Sequence, residues 1–314
     1  MGKRSRTKAR ESATTPGEVG PRQPCPCGSG RRYKACHGAP GGPPPAIVTR
    51  PFEGLAFECD LVALRELVPA ATAPLKLAST GSTSEERTVR LCTLLPGASP
   101  AMVRADGAIW LGLQVMHNHG EPSRDLGAVL EAALTADEGA VPAPTSGEGP
   151  RLQDLVVNEP LDITVHEGFD YWLDDVEEKP AAMQAVLEQA NEAAMPTARL
   201  TSVEAAYWTN VGTKEHLRWP MPYAEEELLD ALARLHVAGE DKLVDEGRLV
   251  GMFRAHGLLV PVWDLPVGTG AEVLEEPAAA FAERVAATVA AGGELTPEER
   301  AARSGLANRQ VTIR

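Results

Sequence analysis

Four residues able to hold a metal lie within one short stretch, Pro24-Cys25-Pro26-Cys27-Gly28-Ser29-Gly30-Arg31-Arg32-Tyr33-Lys34-Ala35-Cys36-His37-Gly38. Cys25, Cys27, Cys36 and His37 supply three thiolates and one imidazole. That is a full tetrahedral set for Zn²⁺ in a closed, structural site. The mixture of sulfur with nitrogen favours zinc over an iron–sulfur centre. Gly28 and Gly30 let the chain turn tightly after the first pair, and turn amides can donate to the sulfurs. Three thiolates and one Zn²⁺ leave a net −1, which Arg31, Arg32 and Lys34 offset locally. Tyr33 is the one large side chain available to cover the site. A unit this small has no core of its own, so metal would supply its folding free energy, on the order of 10 kcal/mol. A reactive dithiol needs only two cysteines and leaves His37, the glycine turn and the basic shell unexplained.

With this spacing, residues 24–38 resemble the SEC-C motif, the zinc-binding tail of the SecA preprotein translocase motor, found also on otherwise unrelated proteins. The resemblance implies that Cys25, Cys27, Cys36 and His37 ligate zinc. It also implies a recognition module, since in SecA the tail engages a chaperone partner and the ribosome. The motor itself is not expected, because the chain has no G-x-x-x-x-G-K-[ST] phosphate loop. The remainder, from Arg50-Pro51-Phe52-Glu53-Gly54 to Gly305-Leu306-Ala307-Asn308-Arg309-Gln310-Val311-Thr312, is similar to an actinobacterial family of unknown function with an N-terminal SEC-C motif. That likeness implies no activity.

Other residue groups invite chemistry less strongly. Met116-His117-Asn118-His119-Gly120 follows a strand and precedes a helix, as a solvated loop would; nuclease His-Asn-His residues are not contiguous. Val165-His166-Glu167-Gly168-Phe169-Asp170-Tyr171-Trp172-Leu173-Asp174-Asp175 combines a histidine, carboxylates and aromatics. It reads either as an acid–base or metal site, or as a loop anchored by its aromatics with an acidic run, Asp174, Asp175, Glu177 and Glu178, in solvent. With Arg254-Ala255-His256 it is where body chemistry is to be sought. His216 sits in an alternating strand, His236 near a helix C-terminus where a cation is favoured. Cys59 and Cys92 lie in apolar segments without a nucleophile motif; Cys92 reads as a buried strand residue.

Charge separates two parts of the chain. Lysines and arginines number 30 against 44 acidic residues, a formal −14. Residues 1–40 hold nine basic and two acidic residues, +7, which leaves −21 for the rest. Arg31, Arg32 and Lys34 are explained by the zinc centre, so only Lys3, Arg4, Arg6, Lys8, Arg10 and Arg22 argue for an external polyanion. Without interleaved aromatics, such binding would be to RNA phosphate rather than to sequence; a merely solubilising tail fits equally. A 43% hydrophobic content is ordinary for a globular body. No apolar run is long enough to span a bilayer, no secretory signal follows the basic residues, and the expected setting is cytoplasmic.

The supporting elements read as α+β. Residues 1–23 form a disordered basic tail, 24–38 the zinc module and 39–50 a Pro/Gly linker. An α+β sub-domain follows over 51–136, a second linker over 137–150, and another α+β sub-domain over 151–314. In the first, Asp60 caps a helix carrying Leu61, Leu64, Leu67 and Val68. Strands at 88–95 and 108–115 are joined by the Arg104–Gly107 turn, and Ser123 caps the next helix. In the second, helices fall near 181–194, 225–237, 277–291 and after Thr296, whose Thr296-Pro297-Glu298-Glu299 is a capping box. Strands fall at 198–210, 215–221, 248–254 and 258–264, the last pair joined at His256-Gly257. Both halves end strand, turn, strand, helix, which is compatible with internal duplication. The composite points to a zinc-binding interaction protein that docks on a ribosome or protein partner; the alternative is an enzyme whose body acts and whose zinc module only localises it.

Overall fold

The computed structural model describes residues 21–23, 32–35, 48–78, 87–116, 119–142, 149–174, 176 and 181–308. Two compact units divide the chain at Ile47/Val48. Among the described residues of the first, a 3-10 turn spans Tyr33–Ala35.

The second unit is α+β. Helix α1 (Glu58–Glu66) leads into strands β1 (Ala71–Leu75), β2 (Val89–Cys92), β3 (Ala101–Val103) and β4 (Ile109–Gly112), then helices α2 (Pro122–Leu134) and α3 (Leu152–Leu155) and strand β5 (Thr164–Val165). A 3-10 turn, Asp170–Leu173, precedes α4 (Ala181–Ala193). Strands β6 (Thr197–Arg199), β7 (Tyr207–Asn210) and β8 (Glu215–Arg218) are followed by α5 (Glu225–Ala238), β9 (Arg248–Ala255), β10 (Leu258–Leu265), α6 (Glu275–Ala291) and α7 (Pro297–Asn308). The first sheet has the order β3-β4-β2-β1-β5 and the second β6-β7-β8-β10-β9. The first sheet thus draws β5 from beyond residue 150, and its β3 edge pairs with 139–140 through Gly139 N–H to Val103 O and Val103 N–H to Ala140 O, both 2.9 Å.

Three cores hold these layers. One face of the first sheet (Ala73, Leu91, Ile109, Leu111) packs with α1, α2 and with Tyr207 and Val260 of the second sheet in one cluster. The other face of the second sheet (Leu217, Trp263) is covered by Leu228, Leu232, Phe281 and Val285 of α5 and α6. Phe281 and Trp263 are fully buried with rings 5.3 Å apart; side chains of this size contribute roughly 1.5–3 kcal/mol each when removed from water. A third cluster joins Cys92 and Trp110, on the outer face of the first sheet, to Phe169, Tyr171, Trp172 and Leu187.

Several local expectations are corrected. Asp60 does not cap α1: the helix starts at Glu58, and Asp60 is a buried residue of its first turn. Ser123 likewise lies inside α2, whose first residue is Pro122; its hydroxyl donates to Gln153 Oε1 and accepts Leu152 N–H at 3.1 Å. The Arg104–Gly107 turn forms, with Gly107 at φ 81°, but it joins β4 to β3, a three-residue strand too short to show alternation. β2 and β4 are therefore parallel neighbours and not a hairpin. The expected strand 198–210 is two strands, β6 and β7, separated by a bend at 200–206. The capping box holds: Thr296 N–H reaches Glu299 Oε2 at 2.7 Å and Glu299 N–H reaches Thr296 Oγ1 at 3.2 Å.

The two sheets share a spatial order, 3-4-2-1 against 9-10-8-7, and each places a hairpin at one edge and a helix after it. Strand direction differs. β2 and β4 run parallel, whereas the corresponding β8 and β10 run antiparallel, so the hairpin is inverted between the two halves.

Candidate functional site

Alternation along the first sheet puts Thr72, Pro74, Arg90, Cys92 and Trp110 on the face opposite the main core. The aromatic turn at 169–173 covers only part of that face. The rest opens as a cleft of about 640 Å³, lined among others by Thr72, Arg90, Trp110, Asp162, His166 and Asp174. His166 enters it because its N–H bonds Ala70 O at 2.8 Å, just past the short β1–β5 pairing. Its Nε2 lies 2.9 Å from Thr72 Oγ1, and its ring lies 5.0 Å from that of Tyr171. Burial lowers the His166 pKa, Asp174 opposes this, and the Arg90 charge lowers it further. A neutral imidazole beside a hydroxyl is a hydrogen-bonding pair able to relay a proton. The Arg90 guanidinium lies 5.2 Å and that of Arg104 4.2 Å from the Trp110 ring centre; Arg90 also approaches Asp174 at 3.6 Å. The indole is thus already engaged by two cations.

The other flagged side chains are held structurally. His256, in the β9–β10 turn, pairs with Glu66 Oε1 at 2.8 Å and stands edge-on to Phe52; it does not line the cleft that His166 lines. Arg254 is bound bidentately by Glu225. His119 accompanies Asp125, which accepts its N–H at 2.8 Å; His117 and Asn118 lie outside the described residues, as do Asp175, Glu177 and Glu178. His236 Nδ1 lies 2.6 Å from Asp241 Oδ2. Cys92 is fully buried in β2 as expected, and burial pushes its thiol up to about 12. Cys59 is buried and raised further. Among the described residues no group of three His, Cys, Asp or Glu is placed to hold a metal ion.

In the N-terminal unit, Cys25, Cys27, Cys36, His37, Gly28, Gly30 and Arg31 lie outside the described residues, as do Lys3, Arg4, Arg6, Lys8 and Arg10. The flanking backbone is described. Tyr33 N–H bonds Gln23 O at 2.7 Å, and Lys34 N–H bonds Pro21 O at 2.9 Å. These bonds set residues 21–23 beside residues 33–34. Arg32 and Lys34 are exposed and Tyr33 is half-buried. The donor set in this stretch of sequence, three thiols and an imidazole, is of the kind that suits one tetrahedral Zn²⁺.

The model of a family described as "Family of unknown function (DUF5926)" matches residues 51–314. The chain belongs to this family. A second model, the SEC-C motif, matches residues 22–39. The chain is 59% identical over 27 residues to the protein translocase subunit SecA of Rubrobacter xylanophilus. That stretch is 9% of this chain and only 3% of the SecA length. No solved structure matches. Among the described residues of this DUF5926 chain no helix is long and apolar enough to cross a membrane. Sequence reasoning found His166 and Asp174 in the DUF5926 body but missed Thr72, Arg90 and Trp110. The alternation through Val89–Cys92 that turns Arg90 outward was a usable signal for one of them.

Proposed function

We propose that this DUF5926 protein is a cytoplasmic docking protein whose SEC-C module binds one Zn²⁺ through Cys25, Cys27, Cys36 and His37. The module engages a protein or ribosomal partner, and Lys3–Arg10 add a sequence-independent contact to RNA phosphate. The observation that carries this reading is the SEC-C match over residues 22–39 together with the SecA likeness. Gly28 and Gly30 shape the loop, and Arg31, Arg32 and Lys34 compensate the anionic centre. Zinc when bound supplies a rigid, closed cross-link; the chain's own residues present the surface.

The test is zinc content and co-sedimentation with purified ribosomes. The intact chain is expected to carry about one zinc and to sediment with ribosomes. Cys36→Ser should lose both while the DUF5926 body keeps its melting transition. Full zinc loading in Cys36→Ser, or equal sedimentation of both proteins, refutes the proposal. A body-borne activity is the second reading, favoured by the Thr72–His166 pair in the cleft.

A further inference from the structure

Burying a polar atom without a partner is costly, and each case needs a physical account. Most such atoms here face an opposite group. Glu121 Oε1 and Arg151 Nε lie 2.5 Å apart, Asp125 Oδ1 and His119 Nδ1 3.4 Å, and His216 Nδ1 and Asp264 Oδ1 3.0 Å. Arg284 is half-buried and stacks over Phe281. Arg218 differs. It is only 5% exposed, its Nε has no hydrogen-bond partner, and no carboxylate pairs with it among the described residues. Burial alone acts on its pKa, downward, with no opposing carboxylate.

The register shows what surrounds it. Arg218 stands between Tyr207 on β7 and Val262 on β10. The next row on the same face is Thr209, His216, Asp264 and Arg248. Tyr207 offers Arg218 no anion, since its hydroxyl already donates to Asp60 Oδ1 at 2.8 Å. Asp264 is shared three ways, by Lys214 at 2.7 Å, His216 at 3.0 Å and Arg248 at 3.5 Å. Cationic groups therefore exceed carboxylates on this patch, although the body as a whole is acidic. Residues two apart on one strand face lie about 7 Å apart, so one small anion can touch both Arg218 and His216.

We infer that Arg218, with His216 beside it and Lys214 and Arg248 at the rim, forms a binding site for a small phosphate-type oxyanion on the second sheet. The guanidinium gives two parallel N–H donors in the geometry that phosphate oxygens accept. His216 closes one side, and the surplus rim charge attracts the anion.

The test is thermal unfolding of the full chain in inorganic phosphate against chloride at equal ionic strength, with glycerol phosphate in parallel. The wild type is expected to gain several degrees in phosphate, saturably, as a ligand specific to the folded state requires. Equal shifts with both ligands assign the free ion; a larger shift with the ester assigns a phosphomonoester. Arg218→Leu should melt no lower than wild type in chloride, because a buried unpaired charge is removed, and should lose the phosphate shift. His216→Gln, at a more exposed position, should reduce it severalfold and guards against a folding defect in the first variant. No phosphate-specific shift in the wild type, or an undiminished shift in both variants, overturns the assignment.

Discussion

A buried carboxylate ties the two halves of the body together, and removing its charge gives a sharp test. Asp60 is 4% exposed. It accepts Arg199 Nε at 3.1 Å, Arg199 Nη2 at 3.0 Å and the Tyr207 hydroxyl at 2.8 Å. α1 is thereby joined to β6 and β7, 139 and 147 residues away. Asp60→Asn keeps the shape but leaves the guanidinium without a counter-charge and sets an amide N–H against a donor. Removing one partner of a buried pair costs about 3–5 kcal/mol. The Arg199 side chain is 26% exposed, so solvent screening places the cost near the lower end, roughly 3 kcal/mol. For a body of this size that lowers the melting temperature by roughly 6–12 °C. The assay is urea and thermal unfolding of Asp60→Asn, Arg199→Met and the double variant. The double variant should cost less than the two singles added, by more than about 1 kcal/mol. A loss in Asp60→Asn below about 1 kcal/mol, or additive singles, would show the cluster to be a solvated surface pair and refute the reasoning.

Two further perturbations follow from the same packing. Gly127 lies inside α2 with ordinary helical geometry, where alanine is normally favoured by about 1 kcal/mol. A Cβ there would meet the Pro150 carbonyl oxygen head-on, so Gly127→Ala should destabilise by roughly 1–3 kcal/mol in urea melts, and a stabilised variant would contradict the contact. Burial raises the pKa of Glu215, but N–H donors from Gly268, Gly270, Trp208 and Thr269 outweigh it and hold the carboxyl below its ordinary 4.5. Its contribution is therefore complete above pH 4.5 and lost as the pH falls through the depressed value. Glu215→Gln should be less stable than wild type at pH 7, and the two stabilities should converge on acidification; parallel curves would count against the donor cage.

Legibility in the sequence followed the strength of local signals. The β9–β10 hairpin was readable because His256-Gly257 fills a two-residue turn with φ 48° and 82°, which glycine accepts freely and histidine tolerates. α5 and α6 were readable from their apolar periodicity, and α7 from its capping box. β1 was not, because Pro74 argues against a strand. The structure admits it through register. Thr93 N–H bonds the Ala71 carbonyl and Ala71 N–H bonds Thr93 Oγ1, so Ala71 faces β2 with its polar groups while Thr72 and Pro74 turn theirs away. β5 pairs only with Ala71 and Thr72, so no ladder bond is demanded of Pro74. Asp60 and Ser123 looked like caps because their residue types are cap types, yet both serve long-range bonds that no local pattern contains. His166 was visible as part of an unusual run; its partner Thr72, 94 residues away, was not.

The charge division of the chain gains a physical reading from the body. Arginines there are engaged internally: Arg50 with Glu58, Arg199 with Asp60, Arg254 with Glu225, Arg303 with Asp230, and Arg65 with the Leu113 carbonyl. Such cations hold elements together and offer no continuous basic surface, and the summed field of an acidic body repels a polyanion. The proposed polyanion contact is therefore assigned to the basic residues of the N-terminal unit. Arg218 is a different case, a single buried cation suited to one small oxyanion, for which short-range donors can outweigh the distant negative field because that field is screened beyond about 8–10 Å at ordinary salt. The two proposed contacts, one with a long phosphate chain and one with a single phosphate group, thus call on separate residues, which is why deleting residues 1–46 and replacing Arg218 should have independent effects.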